Sequence, residues 1–122
     1  MSRIEEFELE GKNIILFDLS GFKTDNEYVD LIKKAKAVIV KYSENSLYTI
    51  TNMTGAVVSK NTHDIIADWV KYNKPYVVSG VVYGADATQV IIGKTASAVT
   101  QRSNLTYLGS KEEAIDYLIG LD

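Results

Sequence analysis

The sequence contains no cysteine, and this absence excludes disulfide bonds, thiol nucleophiles and thiolate metal ligands together. It has a single histidine, His63, so a metal site built on several imidazoles is excluded as well. No apolar run approaches the roughly 18 residues that a membrane-spanning helix requires. The net charge of −3 disfavours nucleic acid, because phosphate binding needs concentrated positive charge. We therefore expect no cofactor, no structural metal, no membrane span and no nucleic-acid partner.

The overall composition of the chain is that of an ordinary globular protein. Hydrophobic residues make up 46% of the chain and charged residues 24%, which is enough apolar surface to build a core. A length of 122 residues fits one domain, predicted to span residues 1–122. The first ten residues alternate acidic and apolar side chains and lack the basic and apolar stretches of a secretory leader. With the absence of cysteine, this pattern favours a cytoplasmic protein.

Strand-like and helix-like segments alternate along the chain. A β-hairpin is predicted near the start of the chain, because two strand-like segments, Ile4 to Leu9 and Asn13 to Asp18, flank Gly11-Lys12. From Tyr28 to Tyr42, apolar residues recur at intervals of three and four residues. This spacing predicts an amphipathic helix of about 16 residues. Further strands are predicted at Ser46–Met53, Tyr76–Tyr83 and Leu105–Leu108, and further helices around Ile65–Val70, from Asp86 to about Thr100 and from Ser110 onward.

Three of the predicted helices begin with a capping signal, in which a cap side chain is followed three residues later by Glu or Gln. The pairs are Thr24 with Glu27, Asp86 with Gln89, and Ser110 with Glu113. Because parallel strands need crossover connections and helices supply them, this order predicts an α/β fold. We expect a mixed sheet of four to five strands with about four helices, on which Ile65, Ile66 and Trp69 pack.

This element order resembles that of a known family, and so do three phrases of the sequence. They are Ile14-Ile-Leu-Phe-Asp-Leu-Ser-Gly21, Tyr48-Thr-Ile-Thr-Asn-Met-Thr-Gly55 and Asn73-Lys-Pro-Tyr-Val77. Over about the whole chain they resemble the small bacterial STAS-type proteins that are described as SpoIIAA-like or STAS/SEC14-like. The resemblance implies a single STAS-like domain with the SpoIIAA-like mixed sheet.

Anti-sigma factor antagonists of the wider superfamily carry an Asp-Ser-Ser-Gly motif, in which a partner kinase phosphorylates one serine. The matching stretch here, Lys60-Asn-Thr-His63, supplies the hydroxyl of Thr62 but lacks the acidic residue and the glycine. Ser59 and Thr62 lie near the predicted start of a helix, where capping selects the same residue types. We therefore predict that they cap this helix and are not regulated by phosphorylation.

Polar residues cluster at the predicted ends of neighbouring strands and at the start of the helix that follows. Ligands of open α/β sheets bind beyond the carboxyl ends of parallel strands. The sequence therefore predicts a ligand-binding or partner-binding site at Asp18, Ser20, Asn52, Thr54, Ser59 and Thr62. These residues form no pair of nucleophile and base, so we expect no catalytic residues and no enzyme activity.

Two weaker chemical signals have structural interpretations. His63 is followed by Asp64 and by Asp68 one turn later, but adjacent helical residues do not converge on one ion, and we interpret His63 as a surface residue. The tripeptide Gly93-Lys94-Thr95 matches the last residues of a phosphate-binding loop motif. Thr88 occupies the position of the required upstream glycine, so the motif fails.

Two functions remain as hypotheses. The first is a non-enzymatic binding or regulatory module that acts through contacts with an unknown protein partner. The second is a small apolar-ligand or lipid-binding protein, which the SEC14-like resemblance and the apolar strand Tyr76–Tyr83 suggest. A well-formed internal cavity would favour the second, whereas a filled core with an exposed apolar and aromatic patch would favour the first. The sequence leaves a homodimer open.

Overall fold

The computed structural model describes residues 3–86, 90 and 104–121. Those residues form strands β1 (Ile4–Leu9), β2 (Lys12–Asp18), β3 (Leu47–Asn52), β4 (Val77–Tyr83) and β5 (Leu105–Leu108), and helices α1 (Asp25–Ile39), α2 (Lys60–Asn73) and α3 (Lys111–Ile119). The helix predicted from Asp86 to about Thr100 falls almost entirely outside the described residues, as does Gln89 of its predicted cap. Among the helices that are described, none is long and apolar enough to cross a lipid bilayer.

β1 and β2 form the predicted hairpin, with Leu9 opposite Lys12. The turn is Glu10-Gly11, where both residues have positive φ angles of 53° and 76°. Such a two-residue turn matches the twist of the two strands, and glycine adopts this conformation without a steric penalty. The turn therefore begins one residue earlier than the sequence predicted, and Lys12 is already part of β2.

The five strands form one mixed sheet in the order β1-β2-β3-β4-β5. β1 pairs antiparallel with β2, and β2, β3, β4 and β5 run parallel to one another. Helices α1 and α2 make the crossovers that the parallel pairs β2–β3 and β3–β4 require. The predicted α/β class and the predicted mixed sheet of four to five strands are confirmed.

Apolar side chains fill both faces of the sheet. Along β2, Ile15 and Phe17 point to the face covered by α1 and α2, whereas Ile14 and Leu16 point to the face covered by α3. This alternation follows from the two-residue period of a strand, and it requires consecutive apolar residues because neither face of β2 meets water.

Trp69 lies at the centre of the contact between α2 and the sheet. Its side chain is 5% exposed and meets the ring of Phe17 edge to face, with ring centroids 5.1 Å apart. Ile65 and Ile66 are partly buried against the same cluster. The helical phase predicted from these three residues is therefore confirmed.

Side-chain caps define the starts of all three described helices. Thr24 and Glu27 form the predicted capping box of α1. Ser110 accepts a hydrogen bond from the N–H of Glu113 at 3.2 Å, but the Glu113 carboxylate accepts from the N–H of Gly109 instead of that of Ser110. Ser59 caps α2, because its hydroxyl accepts from the N–H of Thr62 at 3.2 Å.

Candidate functional site

The loops that follow β2, β3 and β4 lie side by side at the carboxyl end of the sheet. The N–H of Gly21 donates to the carbonyl oxygen of Thr54, and the N–H of Met53 donates to that of Tyr83, both at 2.9 Å. These bonds continue the parallel ladders beyond the ends of the strands. The loops are therefore fixed relative to one another by the backbone before any side chain contributes.

Four of the six predicted site residues meet in one hydrogen-bonded network. Asp18 Oδ1 accepts from the N–H of Ser20 at 2.9 Å and from Asn52 Nδ2 at 3.3 Å. Asn52 Oδ1 accepts from the N–H of Thr54 at 3.0 Å and from its hydroxyl at 2.7 Å. The network thus joins the loop after β2 to the loop after β3, and its polar atoms bind one another within these loops.

Arg3 also holds the loop after β2, and the sequence did not reveal this role. Its guanidinium donates to the carbonyl oxygens of Asp18 and Ser20 at 3.2 and 2.9 Å. It also lies 4.7 Å from the centre of the Phe22 ring, a distance typical of a cation–π contact. A single arginine near the start of a chain carries no sequence signal that pairs it with a distant turn.

The other two predicted residues, Ser59 and Thr62, lie at the start of α2 and bind α1. The Thr62 hydroxyl donates to Asp25 Oδ1 at 2.7 Å, and the hydroxyls of Ser59 and Thr62 are 2.9 Å apart. Thr62 is only 2% exposed. Asp25, which the sequence did not single out, therefore links the first turns of the two helices.

An apolar cavity of about 80 Å³ lies between α2 and the sheet. Phe17, Val82 and Leu105 contribute to its lining from β2, β4 and β5, and Ile66 and Trp69 contribute from α2. The described lining residues include no charged side chain. A space of this composition suits a neutral, mostly apolar molecule.

The cavity and the predicted polar residues share the same loops. Three lining residues are direct neighbours of those polar residues in the sequence: Leu19 lies between Asp18 and Ser20, Met53 lies between Asn52 and Thr54, and Val58 precedes Ser59. Hydrogen bonds that fix the polar residues therefore also fix the apolar side chains beside them.

Trp69, one of the lining residues, also has an unsatisfied polar atom. Its indole Nε1 is buried and has no hydrogen-bond partner within the described part of the chain. Buried indole N–H groups normally have an acceptor, and leaving one without a partner costs on the order of 1–3 kcal/mol. The sequence identified Trp69 as a core residue but could not reveal an unpaired atom, because pairing depends on tertiary contacts.

Two tyrosines, Tyr28 and Tyr83, stay protonated at neutral pH. Burial raises the pKa of Tyr28 to about 12, and its hydroxyl donates to the carbonyl oxygen of Val57 at 3.0 Å. Burial also raises the pKa of Tyr83, and the negative charge of Asp18 raises it further. Neither phenol is therefore activated as a base or nucleophile, and Tyr28 instead positions the segment that carries Val58.

His63 has an acidic neighbour but lies in no metal-binding cluster of the described residues. Its Nδ1 lies 3.5 Å from Asp64 Oδ1. Within residues 3–86, 90 and 104–121, no three His, Cys, Asp or Glu side chains are close enough to hold one ion. The absence of a structural metal stays a prediction.

The described residues form a five-stranded mixed sheet with α1 and α2 on one face and α3 on the other. The crystal structure of an uncharacterized protein of the DUF3478 family from Shewanella loihica PV-4, described as having a SpoIIAA-like fold, superposes with a TM-score of 0.73. The superposition covers 94% of this chain and 91% of that chain at 13% sequence identity, so the likeness shows the fold. No protein-family model and no curated protein matches the sequence. The predicted SpoIIAA-like fold is confirmed.

Proposed function

We propose that this chain is a non-enzymatic binding module that holds a small, mostly apolar molecule in the cavity between α2 and the sheet. The observation that carries this proposal is the cavity itself, which has an apolar lining and no charged side chain among its described residues. An apolar cavity between a helix and the sheet favours ligand binding over a function based on protein contacts alone.

The size of the cavity limits the ligand. Its volume of about 80 Å³ is roughly half that of an engineered apolar cavity of about 150 Å³ that binds benzene. A five-membered ring, or one end of a longer apolar chain, is therefore the kind of group that it would hold. Met53 is part of the lining, and its flexible thioether side chain adapts readily to the shape of a ligand.

We assign the predicted polar residues a positioning role in this function. Asp18 and Asn52 hold the loops that carry Leu19 and Met53 into the lining. At the start of α2, the Thr62–Asp25 hydrogen bond fixes the helix that carries Trp69. These polar residues would then shape the cavity without touching its ligand.

Catalysis receives less support from the same geometry. Thr62 is 2% exposed and its hydroxyl already donates to a carboxylate, so a substrate could not reach it. The Thr54 hydroxyl is occupied within the loop network, where it donates to Asn52 Oδ1. A nucleophile needs both an adjacent base and access to substrate, and these hydroxyls lack that combination.

Binding of methylenecyclopentane, followed by the NMR methyl signals of the lining residues, tests the proposal. Val58→Phe adds a ring where the side chain lines the cavity and should weaken binding at least about tenfold. Val57→Phe is the matched control, because Val57 is 53% exposed and lies outside the described lining. Saturable binding to the wild type and the control, lost in Val58→Phe, is expected. No binding to the wild type would refute the proposal.

A second candidate function, contact with a protein partner, is favoured by the groove between α1 and α2. Val29 is 46% exposed there, beside Ile32 and Ile65. The ion pair between Lys36 and Asp68, at 3.4 Å, flanks these apolar side chains. This arrangement of an apolar centre with a charged rim is typical of protein interfaces.

Purification from the native cells, followed by mass spectrometry of bound proteins and lipids, separates the two functions. A defined protein that is lost from Val29→Asp but retained by Val58→Phe would support the protein contact. A small molecule that is retained by Val29→Asp but lost from Val58→Phe would support ligand binding in the cavity. A defined protein retained equally by Val29→Asp would contradict the groove as its binding surface.

A further inference from the structure

We infer that a second copy of this chain packs on the face formed by α1 and α2, with α1 of each copy lying on α2 of the other. The inference goes beyond the proposed function, because it concerns the outer surface of the two helices and not the cavity between α2 and the sheet. It rests on two stripes of side chains with opposite charge that lie side by side on this face.

The stripe on α1 is apolar at its ends and positively charged in its middle. It consists of Val29, Lys33, Lys36 and Val40, whose spacing of three and four residues places them on one side of the helix. Val29 is 46% exposed and Val40 is 51% exposed, and in the described part of the chain only four large hydrophobic side chains are exposed. Half of these side chains therefore lie on the stripe that carries the lysines.

The neighbouring stripe, on α2, is negatively charged. Asp64 and Asp68 lie one turn apart and line the same groove as Lys33 and Lys36. Lys36 and Asp68 pair across this groove at 3.4 Å. Lys33 makes no ion pair with a described residue, and the described cation nearest to Asp64 is the adjacent His63, at 3.5 Å. Lys33 and Asp64 therefore remain available to a partner.

The two signs of charge decide what covers this face. A membrane surface or a nucleic acid would attract the lysines but would be repelled by the aspartates beside them. A matching partner must instead carry a negative stripe next to a positive one, and a second copy of this chain meets that condition. In a two-fold dimer the same patch serves on both copies, so the patch must be self-complementary.

Charge also selects the orientation of the second copy. α1 and α2 run side by side in the same direction, because each connects two parallel strands. A two-fold axis along the groove between them lays α1 of each copy on α2 of the other, so that lysines meet aspartates. A two-fold axis across the helices would lay α1 on α1 and set the two lysine stripes against each other, which like-charge repulsion disfavours. The first arrangement also removes Val29 and Val40 from water.

Charge reversal, followed by analytical ultracentrifugation over a range of protein concentrations, tests the inference. Lys33→Glu alone and Asp64→Lys alone bring like charges together and should each raise the dissociation constant of the dimer at least about tenfold. The double variant Lys33→Glu/Asp64→Lys exchanges the two signs and should restore the dimer. Lys34→Glu is the matched control, because Lys34 is exposed on α1 but lies outside the groove residues, and it should dimerise like the wild type.

Three results would overturn the inference. The first is a wild type that stays monomeric up to about 1 mM, where even a weak dimer forms. The second is a dimer that Lys33→Glu weakens no more than Lys34→Glu does, which would place the interface elsewhere. The third is a double variant that remains as weakly associated as the single variants, which would contradict the packing of α1 on α2. Binding of methylenecyclopentane tests the cavity separately from all three.

Discussion

Trp69 contributes to the core and to the cavity at once, and its substitution measures the first role. Trp69→Ala should lower the free energy of unfolding by about 3 kcal/mol, because a buried ring in contact with Phe17 is removed. Urea unfolding followed by circular dichroism gives this value, since the variant has no tryptophan fluorescence. Val57→Ala, at an exposed position, is the control. A loss below about 1 kcal/mol would contradict the packing of Trp69 on the sheet.

Tyr28 makes stability depend on alkaline pH. Its folded-state pKa of about 12 lies above its ordinary value of 10.0, so the folded protein holds the phenol proton more tightly than the unfolded chain. The resulting stability is fully present below pH 10.0 and is lost as the pH rises through about 12. Tyr28→Phe removes this titration.

The variant should be less stable at neutral pH by about 1 kcal/mol, because the hydrogen bond to the Val57 carbonyl is lost. Between pH 10.0 and about 12, its stability should fall less steeply than that of the wild type. Urea unfolding at several pH values measures both slopes. Equal slopes would show that Tyr28 titrates normally in the folded protein.

At the scale of elements, the start of α2 decides between a structural cap and a phosphorylation switch. A phosphate on Thr62 would enter a site that is 2% exposed and would face the Asp25 carboxylate, which lies 2.7 Å from the hydroxyl. Like charge and lack of space both oppose it. We expect phosphopeptide mapping of protein from its own cells to find Ser59 and Thr62 unmodified. Substantial phosphate on either residue would reverse this interpretation.

The loops at the carboxyl end of the sheet depend on a close contact at Gly84. A Cβ atom at Gly84 would lie 2.1 Å from Thr54 Oγ1 and 2.9 Å from the Thr54 backbone nitrogen. Gly11 has the same φ of +76° but nothing within 4 Å of its Cβ position, and it therefore controls for the backbone conformation alone.

Gly11→Ala should cost about 1 kcal/mol, the usual penalty for a side chain in the left-handed region. Gly84→Ala should cost at least about 2 kcal/mol, because the loop after β3 must also move. It should weaken methylenecyclopentane binding as well, since the same loop carries Met53 into the lining. Equal unfolding free energies for the two variants would contradict the close contact.

Local signals in the sequence predicted the elements well, and tertiary contacts explain what they missed. The capping box at Thr24 and Glu27 involves residues three apart, and the burial of Trp69 follows from helical period, so both are readable from a single chain. The bond from Thr62 to Asp25 joins residues 37 positions apart, and no local pattern specifies that pairing. The cavity lining comes from four strands, the loops and α2, which only the folded sheet brings together.

For the whole molecule, the cavity should couple ligand binding to global stability. A molecule that binds only the folded protein stabilises it by mass action, by about 2.7 kcal/mol at a free concentration 100 times its dissociation constant. Thermal unfolding of the wild type should therefore shift to higher temperature as methylenecyclopentane is added. Val57→Phe should show the same shift, whereas Val58→Phe should show little, because its added ring occupies the space that the ligand needs. Equal shifts in all three proteins would place the binding site elsewhere than between α2 and the sheet.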